Sequence, residues 1–117
     1  MYKLDFTKDN QGVLESKPED RYSVCYQAVT SSQTPAAFES WDDVISLLKK
    51  LKSIGREEKA ENAPMKTFVL NNGGGVLELE RSERTLLLEF IKKAPWTNSF
   101  LEHVRPTYNW IDKTPES

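Results

Sequence analysis

Residues 70–80 read LNNGGGVLELE, and the three consecutive glycines carry two incompatible readings. Backbone amides of a glycine-rich loop can wrap a phosphate, which would make the chain a nucleotide-binding protein, or the same residues can reverse the chain between two strands. A phosphate loop works because its amides converge on the anion together with the positive end of a helix that follows directly. Here the following residues, VLELE, alternate like a strand, and there is neither a Gly-Lys-Ser/Thr ending nor a spaced G-x-G-x-x-G pattern. Asn71 and Asn72 tolerate positive φ as glycine does, which is the chemistry of a hairpin turn. The stretch therefore predicts a bend joining strands at 67–70 and 76–80. Leu77 and Leu79 share one face of the second strand, and Glu78 and Glu80 share the other.

Working outward, Ser82 offers an N-cap and Glu83 suits the positive end of a helix dipole. Leu86, Leu87, Phe90, Ile91 and Ala94 then form an apolar stripe that closes at Lys92, Lys93 and Pro95. A short further helix is expected from Asn98 or Ser99, carrying Phe100, Leu101 and Val104 and stopping before Pro106. Upstream, SWDDVISLLKKLKSIG predicts the clearest helix. Ser40 is its expected N-cap, and Trp41, Val44, Ile45, Leu48, Leu51 and Ile54 form its apolar stripe. Gly55 is its expected stop, in a left-handed conformation. Arg56–Pro64 reads as an exposed connection. At the start, Tyr2–Phe6 alternates as a half-buried strand, and Val13 and Leu14 suggest a brief second arm of a hairpin. RYSVCYQAV, residues 21–29, alternates as well and predicts a strand.

These elements make one domain over residues 1–117, with 113–117 a flexible tail. The class is α+β: an antiparallel sheet of about four or five strands, covered on one face by two amphipathic helices plus a short C-terminal helix. The apolar fraction of 38% and charged fraction of 29% are those of a globular chain and not a disordered one. A net charge of -2 gives no long-range attraction to nucleic acid or to an anionic membrane. No apolar run approaches the ~20 residues that span a bilayer, and the opening MYKLDFTKDN has no secretory pattern, so the expected location is the cytoplasm.

Catalytic chemistry finds little to work with. Cys25 and His103 are the single thiol and the single imidazole, so a nucleophile and base would have to be this pair. Cys25 lacks the basic neighbours or helix N-terminus that lower a thiol pKa, and His103 reads as a helix-end residue that suits the dipole. A metal would need carboxylates, and Glu78 with Glu80, or Asp42 with Asp43, are the available pairs. The first pair is also the ordinary polar face of a sheet, and the second complements the start of a helix. No catalytic residue, metal site or cofactor is therefore expected.

Two groups of side chains suggest binding. Lys49, Lys50, Lys52 and Arg56 could meet nucleic-acid phosphates, although they also sit at a helix C-terminus where cations are favoured locally, and Glu57 and Glu58 follow at once. Trp96, Phe100, His103, Arg105, Tyr108 and Trp110 gather aromatic and arginine side chains, the types enriched in protein interfaces, close to the C-terminus. The competing reading is that these rings close the core. The leading expectation is a small non-enzymatic protein-binding module: an inhibitor, immunity factor or accessory regulator of the kind that small mobile-element or phage genes encode. A homodimer is compatible with the same patch. The second reading is nucleic-acid binding through the lysines and Arg56, and the third is a small-ligand binder or enzyme with a cleft between helices and sheet.

Overall fold

A computed structural model describes residues 1–7, 18–31, 36–59, 61 and 67–117. Within them the chain forms, in order, β1 (Tyr2–Asp5), α1 (Pro18–Thr30), α2 (Trp41–Ile54), β2 (Gly55–Glu58), β3 (Thr67–Leu70), β4 (Val76–Leu79), α3 (Arg81–Lys93) and α4 (Leu101–Lys113). Single 3-10 turns at Phe38–Ser40, Asn71–Gly73 and Asn98–Phe100 lead into the elements that follow them. The class is α+β, but the strands do not form one sheet. β1 pairs antiparallel with β4, and β2 pairs antiparallel with β3, as two separate two-stranded ladders. The expected second arm at Val13 and Leu14 lies outside the described residues.

The glycine stretch is a structural bend, and Val76–Leu79 is extended, as the alternation predicts. Its partner is different from the one expected. Instead of folding β4 back onto β3, the bend carries the chain from one ladder to the other. Asn72 takes φ 48° and Gly74 takes φ 97°, both in the left-handed half of backbone space. The Phe6 amide donates to the Gly75 carbonyl at 2.9 Å, extending the β1–β4 ladder past its last register pair. A Cβ on Gly74 would lie 2.0 Å from the Phe6 carbonyl oxygen, so close backbone approach requires glycine there. Register then explains the alternation: Leu4 lies opposite Leu77 and Tyr2 opposite Leu79, placing Leu4, Leu77 and Leu79 inside.

The largest correction is residues 21–29, which are helix and not strand. Arg21, Tyr22, Val24, Cys25, Tyr26, Ala28 and Val29 are all buried. α1 packs against α2, α3, α4 and β3 and is therefore enclosed on nearly every side. A helix surrounded in this way loses the apolar-polar contrast that reveals its period, and its β-branched and aromatic residues then mimic a strand. The surviving trace is Ser23, Gln27 and Thr30, less buried than their neighbours and spaced four and three apart. The Gln27 amide donates to Ser23 Oγ at 2.7 Å along that stripe.

Helix boundaries depart from expectation for identifiable reasons. Ser40 belongs to a 3-10 turn that runs straight into α2, and its side chain caps nothing. Glu80, two residues before Ser82, caps α3 in a reciprocal box with Glu83. Gly55 is extended, at φ -165°, and opens β2, whose Arg56, Glu57 and Glu58 lie in the stretch expected to be an exposed connection. Its lack of a Cβ serves the Tyr22 ring, which a side chain there would meet at 2.5 Å, while the Tyr22 hydroxyl donates to the Leu51 carbonyl at 2.8 Å. α4 runs through Pro106 to Lys113. Burial of Val104, Thr107 and Ile111 against the core offsets a proline penalty of about 3 kcal/mol. The segment 113–117, expected as a tail, lies beside β1: Glu116 bridges Tyr2, and the Ser117 amide donates to the Met1 carbonyl at 2.9 Å.

Candidate interaction surface

The C-terminal aromatics do not form one surface. Two residues apart on a helix are rotated by about 200°, so Tyr108 and Trp110 leave opposite flanks of α4. Trp110 turns inward and meets Phe6 edge-on at 5.2 Å, and the guanidinium of buried Arg21 lies 4.8 Å from its ring centroid. Tyr108 stands on the other flank beneath Lys92, at 5.5 Å. Trp96 stacks on Phe100 at 5.5 Å, and Phe100 meets His103 at 5.4 Å. Trp96 is fixed by its own indole, which donates to the Ile91 carbonyl at 2.7 Å. His103 sits in the first turn of α4, 3.5 Å from Glu102, so the helix-end explanation does not apply to it. Arg105 is exposed. Five of these six side chains are partly buried, and their rings brace α4 against its surroundings.

The basic group is likewise divided. Lys50 turns under α2, donating to Glu83 Oε1 at 2.7 Å and to the Glu78 carbonyl at 2.7 Å. Arg56 pairs with Glu58 at 2.7 Å and donates to Asn71 Oδ1. Lys49 and Lys52 remain exposed on the outer side of α2.

Glu83 is the functional-looking group that sequence reasoning explains only as a dipole residue. It is 2% exposed. Oε1 accepts from Lys50 and from the Glu80 amide at 2.8 Å, and Oε2 accepts from Ser46 Oγ at 2.9 Å. Burial pushes its pKa up, but Lys50, the Glu80 amide and Ser46 together outweigh burial and hold the carboxyl below the usual range. Every oxygen is thus engaged in tying α2 to the start of α3. The signal for it is present in sequence as the acidic residue three after Glu80.

Cys25 is wholly buried in α1, and desolvation pushes its thiol up to about 12, which keeps it protonated. Glu78 is exposed, whereas the Glu80 side chain accepts the α3 N3 amide. Asp42 and Asp43 lie in the first turn of α2. Among the described residues no three His, Cys, Asp or Glu side chains gather where they could hold a metal ion. No helix among them is long and apolar enough to cross a membrane.

What stands out is the outer face of α2. The expected stripe places Trp41 and Ile45 in the core, but the buried residues of α2 are Leu47 and Leu51. Trp41 is 49% exposed, Ile45 50%, and Phe38, in the turn before the helix, 74%. Phe38 and Trp41 lie 4.9 Å apart with their rings tilted by 58°, and the Trp41 indole donates to the Ala36 carbonyl at 2.9 Å. The indole is thus fixed in orientation while its ring faces water. Glu39 and Asp42 flank the pair, both exposed. Sequence periodicity could not separate this group from the core stripe, because Val44, Leu48 and Ile54 extend the apolar arc of α2 well beyond its buried centre. Comparison of the chain with protein-family models, with curated proteins and with solved structures finds no match to any of them.

Proposed function

We propose that this protein acts by contact, as a small non-enzymatic protein-binding module in the manner of an inhibitor, immunity factor or accessory regulator. Its docking face would be Phe38, Trp41 and Ile45 on the outside of α2. The carrying observation is the ring pair held in place at the protein surface: Phe38 is 74% exposed, yet its neighbour Trp41 is pinned by the Ala36 carbonyl. A rigid aromatic that remains in water when the chain is folded gains its largest burial on binding a partner, at low cost in side-chain order. The C-terminal cluster supports this reading less well, because Trp110 and Trp96 already have partners within the chain. The basic patch supports nucleic-acid binding less well, because Lys50 and Arg56 are engaged with Glu83 and Glu58.

Quantitative affinity purification from the native cell tests the proposal, comparing the parent with Phe38→Ala/Ile45→Ala and with Arg105→Ala. Partners other than the chain itself should fall at least about tenfold with the double substitution, the equivalent of about 1.4 kcal/mol, and persist with Arg105→Ala. Retention of the same partners by a folded double variant would show that the contact lies elsewhere.

A further inference from the structure

We infer that the outer face of α2 seats a second copy of this chain, with the two α2 helices packed antiparallel about a twofold axis. The inference rests on reading this face as a docking surface and names what covers it when no other partner is bound. Phe38, Trp41, Ile45 and Leu48 recur at spacings of three, four and three, which is the seam by which one helix packs along another. Leu48 is half-buried beneath that seam, and the other three are exposed.

Charge selects the partner and its direction. Glu39 and Asp42 are exposed at the N-terminal end of the seam, and Lys49 and Lys52 are exposed toward its C-terminal end. A partner carrying one sign of charge would be attracted by one half of this face and repelled by the other. A parallel copy would bring the acidic end level with the acidic end and the lysines level with the lysines. An antiparallel copy with the axis near Ile45 brings each Asp42 level with Lys49 of the second molecule, since these two side chains lie about two turns apart on the same flank of the seam. The face is therefore complementary to itself, which is the requirement of an isologous twofold contact. Lys50 plays no part, since Glu83 holds it on the other side of the helix.

Sedimentation equilibrium on the parent and on Asp42→Lys and Lys49→Glu tests this directly. The parent should dimerise. Each reversal alone should weaken self-association about tenfold or more by setting like charges together. Mixing the two variants should restore a one-to-one pair, because the introduced lysine of one then faces the introduced glutamate of the other, while the unaltered Lys49 of the first still meets the unaltered Asp42 of the second. Ile45→Asp gives a charge-independent check and should also dissociate the pair. A parent that stays at the mass of one chain up to about 100 μM overturns the inference while leaving the partner-binding reading to its own pull-down. A dimer indifferent to both reversals, or variants that mixing does not rescue, overturns it as well.

Discussion

The rings of the C-terminal segment are held from beneath, whereas the ring pair at the start of α2 is, among the described residues, held only from the side. Trp110 has Phe6 at its edge and Arg21 over its face, and Trp96 is anchored to Ile91 while stacked on Phe100. Among the described residues, Phe38 and Trp41 have each other and one carbonyl. Both groups bring large apolar rings onto a helix or the turn that leads into it. The difference is the presence of Phe6 and α1 behind Trp110 and of α3 behind Trp96, and of solvent outside the second group. Aromatic content alone therefore says little about binding; what matters is which rings the fold has already used.

The sharpest way to break this contrast is Trp110→Ala. It removes the edge contact with Phe6 and uncovers a buried guanidinium, so a loss of about 3 kcal/mol is expected in urea unfolding. A loss under about 1 kcal/mol would return Trp110 to the pool of surface rings and restore the C-terminal cluster as a docking face.

The inner and outer sides of α2 differ in the same sense. Inside, Ser46 and Lys50 close on Glu83, which has three donors and almost no exposure. Glu83→Ala strands Lys50 and the α3 cap, and should cost about 2 kcal/mol, less than a fully buried pair because Lys50 is partly solvated. Its pH signature is separate from its magnitude. The folded carboxyl is held below its unfolded value near ~4.3, so its contribution is complete above that value and is lost as pH falls through the folded pKa. The parent's urea midpoint should drop as pH falls below the unfolded value, and the drop should shrink in Glu83→Gln. An equal pH dependence in both proteins would show that the cluster does not couple folding to this proton.

How much of this was legible follows from what surrounds each element. β1, β4 and α3 face water on one side and the core on the other, so their periods of two and 3.6 survive in the sequence, and all three are where the patterning places them. α1 is enclosed by three helices and a strand, which erased its period and turned a helix into an apparent strand. The glycines were readable as a bend because φ is a local property, whereas the choice of partner strand is not: β3 meets β2, and β4 meets β1, through contacts far apart in sequence. The outer face of α2 escapes sequence reading for a related reason. Trp41 and Ile45 share an apolar arc with Leu47 and Leu51, and the packing of α1, α3 and β4 decides which part of the arc is covered.

The smallest stability effect is the one that best separates the two ring groups. Phe38→Ser and Ile45→Ser remove side chains that the folded monomer leaves at least half in water, so each should change stability by no more than about 0.5 kcal/mol when measured on dilute protein. Dilution matters, because a second copy that binds only the folded chain adds stability that grows with concentration. The parent should therefore unfold at higher temperature as protein concentration rises, and the two variants should not. If Phe38→Ser costs as much on dilute protein as Trp110→Ala, the rings at the start of α2 belong to the monomer's own packing, and the contrast between a face already used and a face still open disappears.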